Sequence, residues 1–245
     1  MSTPHEHPVR LDELRAEVAE GCRVLAARDL APGFLGHISV RVDATRLLVR
    51  CRGGDERGLA HTTPDDVRLV DLDGGPGAPG ELDVHTTPYE LALHAAVLRH
   101  RPDVDVVVHA HPRDVVVADL AGLPILPIVG AYDIPGAVLA AGGVPVFPRS
   151  ALIADAGLGD AVADALGPSP VVVMRGHGLT STGASVAEAV LRAQAVATLA
   201  RLSLDVVAAG GELRPVPAED LASLPDLGAA LNLATAWRHE LARLA

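Results

Sequence analysis

Two histidines stand two residues apart at the end of an apolar run, Val106-Val-Val-His109-Ala-His111-Pro. On a strand, residues i and i+2 project from one face, with Cα atoms about 6.6 Å apart, so both imidazoles can converge on one ion at about 2.0–2.1 Å. The bland alternative is two polar residues on a solvated strand face. The valines before them argue for a largely buried strand instead, where imidazoles need partners. A third histidine, His177, lies between Gly176 and Gly178 directly after the apolar Val171-Val-Val-Met-Arg. Flanking glycines let the backbone turn sharply and expose a ring at a strand end, although Gly-His-Gly alone reads as a simple turn histidine. Three protein ligands would leave a coordination position open, as in a catalytic rather than a structural metal site. The expected cofactor is a divalent ion: zinc, with manganese, cobalt or iron as alternatives.

Glu90 admits two readings. It is the third residue after Thr87, with Pro88 between them, which is capping-box spacing, and taken alone the position favours that cap. Beside a metal, its carboxylate would instead shuttle a proton, and His94, one helical turn on, would share its face as a supporting partner. All 20 basic side chains are arginine. Without lysine the chain cannot stabilise a carbanion through a Schiff base of its own, so any carbanion chemistry requires a metal or an external cofactor.

The elements that must position these groups are legible in outline. Apolar residues at helical spacing (Leu11, Leu14, Val18, Cys22, Leu25) predict an amphipathic opening helix that Ala31-Pro32-Gly33 stops. Ile38–Asp43 and Leu47–Cys51 predict a hairpin, Val67–Asp73 another strand, and Thr87 to about Arg101 a helix with Thr87 as N-cap and Pro88 as its first residue. Val104–His111 predicts a strand, Arg113–Leu120 a short helix, and Ile125–Val129 and Val144–Phe147 further strands. Asp155–Leu166 predicts a helix, Val171–Arg175 a buried strand, and Ser185–Ala209 a long helix that Gly210-Gly211 ends. This order has no strict βαβ rhythm and favours an α/β fold of the α+β, three-layer kind over a dinucleotide-binding one.

Composition narrows the partners. Apolar residues make up 49% of the 245 residues but aromatics only 2%, so the core must be aliphatic, and the length fits one domain over 1–245 with 1–10 as a flexible tail. A net charge of -11 and no basic run argue against nucleic acid or an anionic membrane as partner, leaving a small molecule. No stretch reaches the roughly 18 apolar residues of a membrane span and the N-terminus is not signal-like, so cytoplasm is the expected compartment. Cys22 and Cys51 form no metal-binding pair and receive no role.

Jointly these residues resemble the class II aldolase/adducin family, over about residues 11–210. The resemblance is carried by Gly36-His37-Ile38-Ser39-Val40-Arg41, by Glu90 with His94, by Arg101-Pro102-Asp103-Val104 leading to His109-Ala110-His111-Pro112, and by Arg175-Gly176-His177-Gly178-Leu179. It implies that His109, His111 and His177 are the metal ligands and Glu90 the catalytic acid/base, with Tyr132 matching the family's interface tyrosine. It also implies a central, mainly antiparallel nine-stranded sheet flanked by helices, and a homotetramer with active sites between subunits.

The chain departs from the family's sugar-phosphate members. Their Gly-Asn-x-Ser is here Gly36-His37-Ile38-Ser39, their Thr-Gly turn is replaced by the loop Arg50–Arg57, and Pro88-Tyr89 stands where they carry Ser-Ser. Phosphate binding needs clustered hydroxyl and N–H donors, and proline has no N–H, so the expected substrate is not a phosphate ester. Variants of this kind resemble decarboxylases of hydroxylated aromatic acids. Arginines are available for a substrate carboxylate (Arg52, Arg57, Arg113 and Arg149), and His37, Ser39 and Arg149 are the expected substrate-binding residues. The expected activity is a metal-dependent carbon-carbon lyase acting on a hydroxy or keto acid, by decarboxylation or retro-aldol cleavage through a metal-stabilised enolate. An iron-dependent oxygenase on the same histidines, or a non-catalytic adducin-like assembly module, are the alternatives.

Overall fold

The structure is a computed structural model that describes residues 7–225 and 229–244, with side chains from 11 to 225 and from 232 to 244. Its strands are β1 (His37–Arg41), β2 (Arg46–Arg50), β3 (Val67–Asp71), β4 (Val106–Ala110), β5 (Val146–Phe147), β6 (Val171–Met174) and β7 (Gly178–Gly183). The helices are α1 (His7–Ala27), α2 (Leu91–His100), α3 (Arg113–Leu120), α4 (Ile134–Ala140), α5 (Ala156–Leu166), α6 (Val186–Ala208), α7 (Ala218–Ser223) and α8 (Ala229–Ala242). The strands form one sheet in the order β3-β2-β1-β4-β7-β6-β5, antiparallel throughout except for the β5–β6 pair.

Strand alternation divides the core in two. Ile38, Val40, Leu48, Val106, Val108, Val171, Val173 and Leu179 pack on one face with residues of α1 and α6. Leu47, Val49, Val107, Val172 and Met174 pack on the other with α2 and α5. The result is the expected three-layer arrangement of helices on both faces of a mainly antiparallel sheet. Among the described residues no helix is long and apolar enough to cross a membrane.

Several boundaries differ from those expected. The sheet has seven strands, not nine. Ile125–Val129 does not join it, because Pro124 and Pro127 remove the amide donors a ladder needs, and Pro145 confines the next strand to Val146–Phe147. Helix α1 starts at His7, inside the stretch expected to be a tail; residues 1–6 lie outside those described. Helix α2 begins at Leu91 with Glu90 as N-cap residue and no side-chain cap bond, so the Thr87 capping box does not form.

Candidate active site

The central strands bring the polar residues into register. His37 of β1 pairs across from His109 of β4, and His109 from Thr180 of β7, placing the three in a row across the sheet. Ser39, two residues along β1, shares the face of His37 and meets His94 from α2 above it. His111 is one residue past the end of β4, anchored by its backbone N–H to the Leu30 carbonyl oxygen at 2.9 Å.

His177 reaches the same place from the tight turn between β6 and β7. Its N–H donates to the Met174 carbonyl oxygen at 3.0 Å, and Gly176 adopts φ +58, a left-handed conformation that favours glycine. A Cβ on Gly178 would collide with the Ala110 carbonyl oxygen, so glycine lets this turn approach β4. Asp119, at the end of α3, fixes the turn from outside: its Oδ2 accepts the Gly176 N–H at 2.7 Å. Ser150 Oγ donates to the Arg175 carbonyl oxygen at 2.7 Å.

One atom from each of Glu90, His109, His111 and His177 lies within 4.8 Å of all the others. His111 Nε2 is 2.8 Å from His109 Nε2, and Glu90 Oε2 is 3.3 Å from His109 Nε2 and 3.6 Å from His177 Nε2. A tetrahedral ion with bonds of 2.0–2.1 Å places its ligand atoms about 3.4 Å apart, so these spacings bracket what an ion requires. The tautomers fit as well. Thr180 Oγ1 donates to Met174 Sδ at 3.3 Å, so its lone pairs face His109 Nδ1 at 3.5 Å and favour the proton there. That leaves His109 Nε2 with its lone pair toward the other ligands, as metal binding needs. Burial, with His109 and His177 nearby, pushes the His111 imidazole down to about 3, so it is neutral and ready to coordinate. This donor set fits a divalent ion.

The Glu90 carboxylate is buried and oriented by the Ile153 backbone N–H, which donates to Oε1 at 2.9 Å. Burial alone would raise its pKa, but the neighbouring His109 and His177 imidazoles and the Ile153 N–H together outweigh it and hold the carboxyl well below the usual range. Glu90 is therefore an ionised carboxylate in contact with the imidazoles rather than a helix cap.

His37 and His94 form a second group. His94 is fully buried, with Nδ1 2.6 Å from Ser39 Oγ and Nε2 2.7 Å from His37 Nδ1. It therefore pairs with His37 and Ser39 rather than supporting Glu90, as its spacing had suggested. Burial, reinforced by His109, pushes His94 down to about 3; burial, reinforced by His94 and His109, holds His37 well below its ordinary value. Ring centroids of His37 and His109 are 5.1 Å apart, so this group adjoins the first. Ser39 itself is 0% exposed and does not face the open part of the site.

The remaining expected residues are not brought into the cluster. Tyr132 is 78% exposed, in the turn before α4. Arg149 is exposed, next to Ser150 and hence near the His177 turn, and makes no hydrogen bond or ion pair among the described residues. Arg52 stacks over Phe34 at 5.2 Å, while Arg113 points to solvent. Sequence reasoning missed Asp119 and Thr180. Only strand pairing puts Thr180 opposite His109, although the alternating Thr180-Ser181-Thr182 run in a buried strand was a usable sign.

Comparison with known proteins shows what the chain as a whole is similar to. Residues 16–204 match the family model described as Class II Aldolase and Adducin N-terminal domain. A 3,4-dihydroxyphthalate decarboxylase from Terrabacter sp. (strain DBF63) is 64% identical over 94% of this chain and 96% of its own length. Another protein of that name, from Arthrobacter keyseri, is 59% identical over 94% and 93%. Among solved structures, an aldolase II superfamily protein from Pseudomonas syringae superposes with a TM-score of 0.79 at 22% identity, over 99% of this chain and 94% of that one. The L-fuculose 1-phosphate aldolase from Glaciozyma antarctica PI12 gives 0.76 at 20%, over 99% and 94%. At these identities the structural likeness speaks for the fold.

Proposed function

The chain belongs to the class II aldolase and adducin family and is a lyase within it, and we propose that it removes carbon dioxide from 3,4-dihydroxyphthalate with the help of a divalent ion. The observation that carries this reading is the convergence of Glu90 with His109, His111 and His177 in a chain so similar to decarboxylases of that name. His109, His111 and His177 would hold the ion, which would act as a Lewis acid toward substrate oxygens.

The work of the side chains follows from the substrate's chemistry. Only the carboxyl at C2 has a hydroxyl on the adjacent carbon, so it is the one to leave. Glu90, ionised where it stands, takes the proton of the C3 hydroxyl and returns it to C2 while the oxygen's electron pair shifts into the ring. The C2–carboxylate bond then breaks, carbon dioxide departs, and the bonding pair restores the aromatic ring. The C3 oxygen regains a proton from solvent, so one proton is consumed per turnover and 3,4-dihydroxybenzoate results. His37, beside His109, contacts the substrate, and Arg149 is suited to the carboxylate that remains. The finer assignments are zinc as the ion, a homotetramer in which Tyr132 serves a neighbouring copy's site, and the cytoplasm as compartment.

The experiment is to incubate the metal-loaded protein with 3,4-dihydroxyphthalate and measure carbon dioxide and the aromatic product together. One carbon dioxide per 3,4-dihydroxybenzoate supports the proposal. Oxygen uptake, or aldehyde release from an unphosphorylated aldol with no carbon dioxide from the phthalate, overturns it.

A further inference from the structure

The buried chain Ser39–His94–His37 has a direction that its own hydrogen bonds determine. The Ser39 hydroxyl carries one proton, is completely buried, and meets a single partner among the described residues, His94 Nδ1 at 2.6 Å. If His94 carried its proton on Nδ1, that hydroxyl would have no acceptor, and an unmade buried hydrogen bond is costly. So the serine donates and His94 Nδ1 accepts. A neutral His94 must then bear its proton on Nε2, which faces His37 Nδ1 at 2.7 Å. His37 Nδ1 accepts in turn, and the proton of His37 is left on Nε2. That nitrogen makes no hydrogen bond among the described residues, in a ring adjoining His109.

We infer that Ser39 and His94 are positioning residues which lock His37 in its Nε2–H tautomer, so that His37 presents a hydrogen-bond donor to an anionic oxygen of the substrate. This deepens the decarboxylase reading and, for the identity of that oxygen, rests on it. The donor suits a carboxylate or phenolate and discriminates against a group that can only donate. With the relay reversed, His37 would offer a lone pair and reject the same anion. Ser39, expected from sequence to touch the substrate, acts on it through His94 and His37 instead.

The test uses full-length protein with histidine rings labelled with nitrogen-15, since ring-nitrogen shifts report which nitrogen carries the proton. His37 and His94 are both expected as Nε2–H in the wild type, without substrate. In Ser39→Ala the constraint on His94 is lifted, and both rings should become tautomer mixtures. Ser39→Thr keeps the hydroxyl and should restore the wild-type spectrum. In turnover, Ser39→Ala should lose about tenfold in kcat/KM, the scale of one hydrogen bond to a charged group, at unchanged metal content; Ser39→Thr should recover most of it. Metal content guards against misfolding as the cause. Wild-type His37 protonated on Nδ1, or a Ser39→Ala protein with wild-type tautomers and rate, overturns the inference. Because the spectrum is read without substrate, it decides the relay's direction even if 3,4-dihydroxyphthalate proves not to be the substrate.

Discussion

His111 Nε2 lies 2.8 Å from His109 Nε2, and His37 Nδ1 lies 2.7 Å from His94 Nε2, so two imidazole pairs in one site have nearly the same separation. What surrounds them differs. Around the first pair, His177 and the Glu90 carboxylate aim at the same point, and the His109 proton is drawn away toward Thr180. Lone pairs and a negative charge converge there, and a cation is what satisfies them. Around the second pair the groups form a line ending in a serine hydroxyl, where the Ser39 and His94 protons already have acceptors and only the outer nitrogen of His37 is left free. A buried histidine is thus a ligand or a relay according to how many groups meet at a point, not according to its burial or its neighbours in sequence.

Breaking the first group should have the largest effect. His111→Ala is expected to lower bound metal well below one per chain and turnover by about a thousandfold, measured by elemental analysis and carbon dioxide release. Full metal content in that variant would remove His111 from the ligand set. Glu90→Gln comes next: the amide can still accept from the Ile153 N–H, so the fold and most of the metal should remain while kcat drops about a hundredfold. A rate within twofold of wild type would return Glu90 to a purely structural role.

Asp119→Ala sharpens the same comparison from a distance. It leaves the Gly176 N–H without its acceptor and should loosen the His177 turn, weakening metal affinity about tenfold without affecting the tautomers of His37 and His94. Equal affinity in a chelator competition would show that the turn holds itself.

The smallest effect at neutral pH concerns acid stability of the metal-free protein. His94 and His111 are held near 3 in the folded chain against an ordinary 6.5, so below 6.5 the unfolded chain binds protons that the folded chain refuses. Stability should therefore fall as the pH drops from about 6.5 toward about 3, by about 1.4 kcal/mol per pH unit for each such histidine. Glu90 adds in the same direction: its depressed pKa contributes stability above about 4.5 that is lost as the pH falls toward its folded value. Denaturant titrations across this range should show a shallower slope for His94→Phe, and an unchanged slope would contradict the assignment.

Sequence reading recovered what depends on local pattern. The valine run placed His109 on a buried strand, the two glycines placed His177 in a turn, and the apolar periods located α5 and α6 to within about a residue. It failed where the outcome depends on distant partners. Capping-box spacing favoured a local role for Glu90, but the Ile153 amide and the imidazoles of His109 and His177 hold its carboxylate elsewhere. Helical spacing paired His94 with Glu90, whereas strand β1 offered it two closer partners. The Ile125–Val129 strand was overruled within the sequence itself, by prolines whose missing donors outweigh apolar content.

The most direct measurement is carbon dioxide release from 3,4-dihydroxyphthalate by protein stripped with a chelator and then titrated with a divalent metal. If His109, His111 and His177 hold the catalytic ion beside Glu90, the stripped protein should be inactive and full rate should return at one equivalent per chain. Stripped protein that releases carbon dioxide at the full rate in excess chelator would contradict it.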